Sequence, residues 1–484
     1  MKKTPYYINK VTFALLLFLV VTITGSAKPR EVHILAVNDV HAAIDQMPLL
    51  AGVVDSLRSL YPSLLVFSAG DNRTGNPIND LYQPSGYPMV ALMNQIGFNA
   101  SALGNHEFDN FSLPEVCRLS AFRYICANIQ ADDSTGVSTV PYQLFDAEGL
   151  RIGVVGAIQI NKDGIPDAHP DVLQGLHFES PFTAVPRYEW LRRQCDAVIL
   201  LSHVGYQDEV RLAEQNPWID VIIGGHTHRQ LSEKEPLHGG VLVTQNRNLL
   251  GQCTHITLRV DSGRVVGKTA DYISLRRGRP NSVVQLLVQH FNDNPFFKRV
   301  LARAATPFDT RNEIGTMVCD AIMSQTGADI AIMNYRGIRI TKMPDGNITV
   351  YDALQIDPFA NNAVTMTMTG AQLEKFIVDY GRMNIYHFPH LGGMKADLTI
   401  DPKETTDITA VRLYGADGKP LARKKKYKVV TNSYILSTAH QLPATDIEVI
   451  NTTTSDMVMD YLEQQKTVSY QGRGNLHYIN PQKN

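Results

Sequence analysis

The fold is indicated most clearly by residues 100–109, Ala-Ser-Ala-Leu-Gly-Asn-His-Glu-Phe-Asp, in which a short apolar run ends in a polar cluster. The run from Ala100 to Leu103 predicts a buried β-strand. Gly104 then allows a tight turn, which is followed by amide, imidazole and carboxylate side chains. A strand that ends in such side chains is typical of a ligand site at the edge of an open α/β sheet.

Four other short apolar runs in the first half of the chain end in the same way. The polar clusters after them are Asn38-Asp39-Val40-His41, Gly70-Asp71, Ser202-His203 and Gly224-Gly225-His226-Thr227-His228. Helical patterns at 48–60 and 183–193 separate the runs, and this alternation predicts an α/β sandwich. Each motif alone is common by chance. Five of them, each at the carboxyl end of a predicted strand, are expected to converge on one site.

The side chains in these clusters favour a transition-metal site, because imidazole nitrogen and carboxylate oxygen suit Zn²⁺, Mn²⁺ or Fe better than Ca²⁺. Two such ions about 4 Å apart can hold a phosphoryl group and activate water. One carboxylate must bridge the ions, and Asp71 is the candidate because it stands alone on its turn. The other candidate ligands are Asp39 and His41 for one ion, Asn105 and His203 for the second, and the flanking His226 and His228.

His106 differs from the candidate ligands. It lies beside Asn105 and three residues before Asp109. Its imidazole can therefore donate a proton while the Asp109 carboxylate orients the ring.

The ordered motifs resemble those of the metallophosphoesterase superfamily, specifically the 5′-nucleotidase / UDP-sugar hydrolase / 2′,3′-cyclic phosphodiesterase family. The string at 104–109 is highly specific for this branch. The resemblance implies a four-layer α/β/β/α sandwich over residues 28–280, with His106 and Asp109 as the catalytic pair. It also implies two divalent ions, one held by Asp39, His41, Asp71 and His228, and the other by Asp71, Asn105, His203 and His226.

The sequence pattern changes after about residue 280. Residues 281–304 include a helical pattern interrupted at Asn294-Pro295, and we expect a linker helix there. Residues 305–484 predict a smaller α/β domain, in which the family resemblance continues from about Asn312 to Glu463. The matching strings are Ala328 to Arg339, Asp357-Pro358-Phe359-Ala360-Asn361, and Thr369-Gly370 with Gln372-Leu373.

The resemblance implies that this second domain binds the nucleotide. The guanidinium of Arg339 can bind phosphate with two parallel hydrogen bonds, and Arg311 is a candidate second phosphate ligand. Phe359 offers an aromatic face for a base, and Tyr434 can stack on its other side. The remaining expected substrate contacts are Asn334 and Asn361.

Three sites depart from the family pattern. Ala42 replaces a glycine after His41, which leaves the ligands intact. Tyr335 and Arg336 put bulk and charge where the family has two glycines. His440 stands in a loop in which the family has an aspartate that contacts the sugar. We therefore expect a complete phosphoesterase centre beside an altered nucleoside pocket.

The amino-acid composition excludes several other classes of protein. The chain has 484 residues, 44% hydrophobic and 19% charged, with a net charge of −2 and five cysteines. These values exclude a disordered chain, a disulfide scaffold and a strongly basic nucleic-acid-binding domain. Residues 1–27, with early lysines, an apolar run at 11–24 and small residues before the cut, are typical of a signal peptide. We therefore expect a periplasmic protein without a stable membrane anchor, as a monomer or weak oligomer.

The leading functional hypothesis is metal-dependent hydrolysis of nucleoside 5′-monophosphates to nucleoside and phosphate. The substrate is then a small nucleotide, with no nucleic-acid polymer as partner. The altered loop at His440 leaves a 2′,3′-cyclic phosphodiesterase/3′-nucleotidase and a UDP-sugar hydrolase open. A sulfur-ester hydrolase and a periplasmic nucleotide-binding protein without turnover are the remaining alternatives.

Overall fold

The computed structural model describes residues 29–232, 236–383, 387–400, 408–438 and 442–479. The predicted signal peptide and His440 lie outside the described residues. Within these segments, no helix has the length and apolar character needed to cross a lipid bilayer. The described chain forms a mixed α/β structure in two parts.

The N-terminal part contains two large β-sheets and a small pair of strands. Its strands are β1 (Arg30–Val37), β2 (Leu65–Ser68), β3 (Ala100–Ala102), β4 (Arg123–Ile125), β5 (Ile129–Ala131), β6 (Thr139–Val140), β7 (Tyr142–Ala147), β8 (Leu150–Ile158), β9 (Leu176–Phe178), β10 (Ala197–His203), β11 (Val221–Ile223), β12 (Leu242–Thr244), β13 (Gln252–Asp261) and β14 (Arg264–Ser274). Its α-helices are α1 (Met47–Leu60), α2 (Pro77–Asp80), α3 (Tyr87–Ile96), α4 (Leu113–Leu119), α5 (Pro181–Ala184) and α6 (Tyr206–Gln215). The sheet orders are β14-β13-β1-β2-β3-β4-β6 and β12-β11-β10-β8-β7, and β5 pairs with β9.

The two large sheets pack face to face, and helices cover both outer faces. Along β1, Val32, Ile34 and Ala36 lie in the apolar core between the sheets, whereas Leu35 and Val37 contact the core under α1 and α3. This alternation follows from the two-residue period of a strand. A third core lies beneath α6 and a 3₁₀ helix that follows α5, on the outer face of the five-stranded sheet. The predicted four-layer α/β/β/α sandwich is confirmed.

The strand directions bring the polar clusters together. Strands β1, β2 and β3 run parallel in one sheet, and β8, β10 and β11 run parallel in the other. The carboxyl ends in each sheet therefore share an edge, as predicted for an open α/β sheet. The two edges meet, because Nδ1 of His203 donates to the carbonyl oxygen of Ala69 at 2.7 Å.

The C-terminal part is a smaller α/β unit. Its helices are α7 (Ser282–Asn292), α8 (Pro295–Lys298), α9 (Arg311–Thr326), α10 (Val350–Ile356), α11 (Gly370–Met383), α12 (Ser433–Thr438) and α13 (Thr454–Gln465). Its strands are β15 (Val300–Ala304), β16 (Ile330–Met333), β17 (Gly346–Thr349), β18 (Asn362–Thr369), β19 (His390–Gly392), β20 (Met394–Ile400), β21 (Ile408–Gly415), β22 (Lys426–Asn432), β23 (Thr445–Thr453), β24 (Thr467–Val468) and β25 (Leu476–Ile479). The sheets are β17-β15-β24, β19-β16-β22-β18-β23 and β21-β20-β25.

The predicted linker at 281–304 is helical only as far as Lys298. Helix α7 begins after Asn281, whose side chain accepts from the backbone N–H of Val284, and it packs against α1 and α3. The last residues of the segment form β15, which pairs with β17 and β24. These residues form a strand and not the expected helix, because they pair with two strands that lie much later in the sequence.

Helix α9 carries Arg311 at its first position. Its start is fixed by a capping box, in which the Thr310 hydroxyl accepts from the N–H of Glu313 and the Glu313 carboxylate accepts from the N–H of Thr310. Its end is set by Gly327, whose φ of +61° places it in the left-handed region that glycine favours. The first turn of α9 therefore has a defined position beside the candidate site.

Candidate metal centre and active site

The turns that carry the predicted ligands have unusual backbone geometry. Five non-glycine ligands have a positive φ: +49° at Asp39, +46° at His41, +51° at Asp71, +75° at His226 and +55° at His228. Such conformations are uncommon for residues other than glycine and cost about 1–3 kcal/mol each. Strain of this kind is concentrated at functional sites, where the surrounding structure holds it.

Glycine is required where two of these turns touch. A Cβ added at Gly104 would lie 2.2 Å from Oδ1 of Asp71, and one at Gly70 would lie 2.6 Å from the backbone nitrogen of Gly104. The turns after β2 and β3 therefore pack backbone against backbone. This close approach brings Asp71 to the residues that follow Gly104, since Oδ1 of Asp71 accepts from the backbone N–H of His106 at 2.9 Å.

The predicted bridging carboxylate lies in the middle of the cluster. Oδ2 of Asp71 is 3.1 Å from Nε2 of His203 and 3.9 Å from Nε2 of His41. Oδ1 of Asp39 is 3.3 Å from Nε2 of His228 and 3.9 Å from Nε2 of His203. Three overlapping groups have ligand atoms spaced closely enough to hold a cation: Asp39, His41 and His228; His41, Asp71 and His106; and Asp39, Asp71 and His203.

Two further pairs of ligand atoms face each other around this centre. Nε2 of His41 lies 3.1 Å from Nε2 of His228, and Oδ1 of Asn105 lies 3.1 Å from Nδ1 of His226. The structure therefore brings all seven predicted ligands to one place.

The chemistry of His203 shows that the cluster fits a cation. This side chain is fully buried, and its Nδ1 must donate to the Ala69 carbonyl, so in the neutral ring Nε2 carries a lone pair. Nε2 makes no hydrogen bond, yet it faces the carboxylates of Asp71 and Asp39. Burial disfavours charge on this ring, but the two carboxylates outweigh it and raise the pKa of His203 to about 10. A divalent cation satisfies the same carboxylates and displaces that proton.

The predicted catalytic pair is formed next to this centre. Nδ1 of His106 donates to Oδ2 of Asp109 at 2.7 Å, and the His106 ring meets the His41 ring edge-on at 4.9 Å. Burial alone would lower the pKa of His106, but the carboxylates of Asp109 and Asp71 raise it to about 9. Because Nδ1 is engaged by Asp109, Nε2 is the nitrogen left to act on a ligand.

Residues of the C-terminal part close the other side of the site. Arg339 places Nη2 3.3 Å from Nδ1 of His41, and its guanidinium lies over the Phe359 ring at 5.5 Å. Phe359 also stacks against His106, with ring centroids 6.0 Å apart and planes inclined by 26°. A cavity of about 500 Å³ lies between the two parts of the chain. The other predicted substrate residues that line it are Arg311, Asn334, Asn361 and Tyr434.

The polar residues of this wall are held by neighbours. Oδ1 of Asn334 accepts from Nδ2 of Asn432 at 2.8 Å, and Oδ1 of Asn361 accepts from the Ser433 hydroxyl at 3.2 Å. The guanidinium of Arg311 lies over the Tyr335 ring at 4.7 Å. Side chains with fixed partners present a defined surface, which favours binding of one ligand orientation.

Three ionisable residues that line the cavity were not predicted from the sequence as part of the site. Asp167 and His169 belong to the loop after β8, and the Asp167 carbonyl accepts from Nδ2 of Asn105 at 3.3 Å. Arg336 lines the cavity from the C-terminal part. The sequence did contain an indication that this loop reaches the site. The loop follows β8, an apolar run whose carboxyl end lies at the same sheet edge as that of β10.

Comparison with known proteins identifies the two parts. Residues 32–230 match the calcineurin-like phosphoesterase family, and residues 292–446 match the 5′-nucleotidase C-terminal domain. The chain therefore combines a calcineurin-like phosphoesterase domain with a 5′-nucleotidase C-terminal domain. It is a phosphohydrolase that acts on ester bonds, and the family's phosphoesterase domain implies divalent metal ions.

Known proteins are similar to this chain over nearly its whole length. It is 24% identical to protein UshA of Yersinia enterocolitica, over 93% of this chain and 94% of that protein. It is 25% identical to a 5′-nucleotidase of Diplobatis ommata, over 96% and 93%. Among solved structures, a 5′-nucleotidase precursor from Thermus thermophilus superposes with a TM-score of 0.79 at 20% identity, over 93% of this chain and 99% of that one. The sulfate thiohydrolase SoxB of Thermus thermophilus gives 0.71 at 19% identity, over 90% and 83%.

Proposed function

We propose that this protein hydrolyses nucleoside 5′-monophosphates to nucleoside and phosphate. The observation that carries the proposal is the cavity in which the metal-ligand cluster, the His106–Asp109 pair, Arg339 and Phe359 meet. One end of this cavity suits a phosphate and the other end suits an aromatic base. The separation of these two chemistries across one cavity is what a nucleotide requires.

The phosphate end combines cationic and imidazole groups. The seven predicted ligands would hold two divalent ions of the Zn or Mn type, with Asp71 between them. Such ions supply Lewis acidity, which polarises the phosphoryl oxygens and lowers the pKa of an attacking water. Arg339 contributes a planar guanidinium, which binds two phosphate oxygens at once.

His106 acts on the charge that develops during the reaction. Its Nε2 faces away from Asp109, and its neighbours His41 and Phe359 fix the ring from two sides. A protonated Nε2 donates a hydrogen bond to a phosphoryl oxygen more strongly as that oxygen gains charge. Asp109 keeps the Nδ1 proton in place, so the ring retains its orientation and its charge.

The base end is built from aromatic and polar side chains of the C-terminal part. Phe359 and Tyr434 both line the cavity, and Tyr434 is 37% exposed. Two aromatic faces can hold a base by stacking, while Asn334 and Asn361 offer polar contacts to the sugar. Because the metal ligands and His106 lie in one domain and Arg339 and Phe359 lie in the other, we infer that product release requires the domains to move apart.

A phosphate-release screen combined with metal analysis tests this function. Purified protein is dialysed, its metals are counted, and it is assayed with AMP, UDP-glucose and 2′,3′-cyclic AMP after reloading with Zn²⁺ or Mn²⁺. We expect about two bound ions per chain and the highest kcat/KM with AMP. Higher kcat/KM with either other substrate would replace the proposal by the corresponding activity. Binding of AMP without release of phosphate from any substrate would favour a nucleotide-binding protein.

We also propose that the protein is exported to the periplasm. The basis is the signal-peptide pattern at 1–27. Cell fractionation followed by N-terminal sequencing tests this directly. The expected product is a periplasmic chain that starts at Lys28; a cytoplasmic chain that starts at Met1 would contradict export.

A further inference from the structure

Arg73 is a buried cation close to the site that none of the proposed steps uses. It lies two residues after Asp71, and only 1% of its surface is exposed. None of its hydrogen bonds connects it to the metal ligands. All of them go to two other segments, 85 and 107–112, the second of which carries Asp109.

The guanidinium donates to atoms on both sides of Asp109. Nη1 donates to the carbonyl oxygen of Glu107 at 3.3 Å, and Nη2 donates to Oδ1 of Asn110 at 3.0 Å. Nη2 also donates to the Ser112 hydroxyl at 2.5 Å. The residues before and after Asp109 are therefore attached to one planar, charged group.

Among the described residues, Arg73 makes no direct ion pair with a carboxylate, although burial raises the pKa of Asp80 and the charge of Arg73 opposes this shift. The Nε of Arg73 has no hydrogen-bond partner. A buried charge without a counter-ion is costly unless its environment is arranged around it. At Gly86 the backbone leaves room for the guanidinium, because a Cβ at this position would lie 2.4 Å from Nε of Arg73. Gly86 has a φ of +87°, so this turn approaches the guanidinium with bare backbone.

A side chain from the segment of the catalytic pair also binds the turn that carries Asp71. The fully buried carboxylate of Glu107 accepts from the backbone N–H groups of Asp71 and Asn72, each at 2.9 Å, and of Gly104 at 2.7 Å. Glu107 thus ties the turn of Asp71 to the segment of the catalytic pair. Arg73 connects the same two segments a second time, through residues that lie farther along the sequence.

We propose that Arg73 is a positioning residue that holds Asp109, and through it the His106 ring, in the orientation needed for phosphate transfer to water. This inference rests on the proposed function, because it assigns a purpose to the His106–Asp109 pair. It predicts that Arg73 affects turnover only by way of Asp109. Arg73 itself contacts neither substrate nor metal ligand side chains.

A double-mutant cycle tests whether Arg73 acts through Asp109. Arg73→Met, Asp109→Ala and the double variant are compared in kcat, KM and metal content. We expect Arg73→Met to lower kcat by about 10–100-fold, because a displacement of about 1 Å can cost 10²-fold, with KM changed less than about twofold. The double variant should be no slower than Asp109→Ala alone, since the second loss has no further route to the chemistry. Arg73→Lys, which keeps the charge but not the planar fork, should give an intermediate rate.

A matched control is Arg58→Met. Arg58 is half-buried and, like Arg73, donates to two backbone carbonyls, those of Ile96 and Gly97, but it does not line the cavity. Its substitution should leave kcat unchanged. If Arg73→Met and Asp109→Ala multiply in the double variant, or if Arg58→Met lowers kcat equally, Arg73 is a general structural residue and the inference is wrong.

A second variant and a crystal structure allow the role of Arg73 to be tested even if Arg73→Met does not fold or the substrate is not the expected one. Should Arg73→Met fail to fold, Gly86→Ala displaces the guanidinium without removing it and enters the same cycle. A crystal structure of whichever variant folds should show the His106–Asp109 hydrogen bond lengthened beyond 3.5 Å; an unchanged 2.7 Å contact would refute the inference. Absence of phosphate release by the wild-type protein would refute the proposed function instead, and the structural readout would still decide the role of Arg73.

Discussion

Arg339 of the C-terminal part contacts His41 of the N-terminal part, with Nη2 of the arginine 3.3 Å from Nδ1 of the histidine. The contact links a candidate phosphate ligand directly to a candidate metal ligand, so the two domains are closed over the site. A second contact, from Nδ2 of Asn76 to the Tyr351 hydroxyl at 3.2 Å, supports the same arrangement. Burial holds the pKa of His41 well below its usual value, and the nearby Arg339 guanidinium lowers this pKa further.

Substitution of Arg339 by alanine should weaken substrate binding. A charge-assisted hydrogen bond contributes about 1.5–3 kcal/mol, so KM for AMP should rise about 10–100-fold with a smaller change in kcat. Steady-state kinetics at saturating metal measures this. The control is Arg264→Ala, at an exposed arginine in the hairpin between β13 and β14, which should leave KM unaltered. An unchanged KM in Arg339→Ala would remove this residue from the phosphate site.

Substitution of His106 by alanine should reduce kcat while metal content stays the same. The expected loss is about 10²–10⁴-fold, the usual contribution of a positioned acid or base. Asp109→Asn should give a smaller loss, because the amide can still contact Nδ1 of the ring but no longer stabilises its positive charge. Metal analysis and kcat are measured on the same samples. Full activity of His106→Ala would refute the assignment, and the exposed His177 supplies the control variant His177→Ala.

Much of the site could be predicted because its ligands follow strands. Asp39, Asp71, Asn105, His203 and His226 each come within a few residues of the end of an apolar run, and parallel strands bring such ends to one edge. The alternation of strands and helices predicted an α/β sandwich, and the family resemblance implied its four layers. The clusters of each sheet share one edge, and the site forms where the edges of the two sheets meet.

The supporting residues could not be predicted in this way. Arg73 and Glu107 appear in the sequence as ordinary charged residues, and only the packed structure shows that they are buried with backbone partners. Asp167 enters the site from a long loop whose path depends on tertiary packing. The strand Val300–Ala304 was missed because its partners, Gly346–Thr349 and Thr467–Val468, are remote in sequence.

Substitution of Glu107 by glutamine should weaken metal binding. The carboxylate accepts from three backbone N–H groups, whereas an amide presents an NH₂ group to part of them and leaves donors unsatisfied. The loss should reach about 1–3 kcal/mol in the free energy of unfolding and about 10–100-fold in metal affinity. Urea unfolding and calorimetric titration with Mn²⁺ measure the two effects. Glu115→Gln, at an exposed residue of α4 paired with Arg118, is the control; equal metal affinity in both variants would contradict the role of Glu107.

A histidine pair far from the site should make stability depend on pH. His33 and His255 lie side by side between β1 and β13, with Nδ1 of His33 3.2 Å from Nε2 of His255 and the His33 ring stacked on Tyr61 at 3.5 Å. Burial lowers the pKa of both rings, and for His255 the neighbouring His33 adds to the effect. The acidic groups facing them, Glu31 and Glu148 for His33 and Asp271 for His255, oppose the shift without cancelling it.

The sign of this effect follows from proton uptake. As the pH falls below about 6.5, the unfolded chain binds protons on these histidines before the folded chain does, so the free energy of unfolding decreases. The decrease continues until the pH reaches the lowered folded values, at up to about 1.4 kcal/mol per pH unit for each ring. His255→Phe keeps an aromatic ring beside Tyr61 and removes one titrating group. Urea unfolding of metal-free protein at pH 7.5, 6.5 and 5.5 should therefore show a shallower decline for His255→Phe than for wild type. The exposed His177→Gln should decline like wild type, and parallel declines in all three proteins would show that the pair does not titrate with folding.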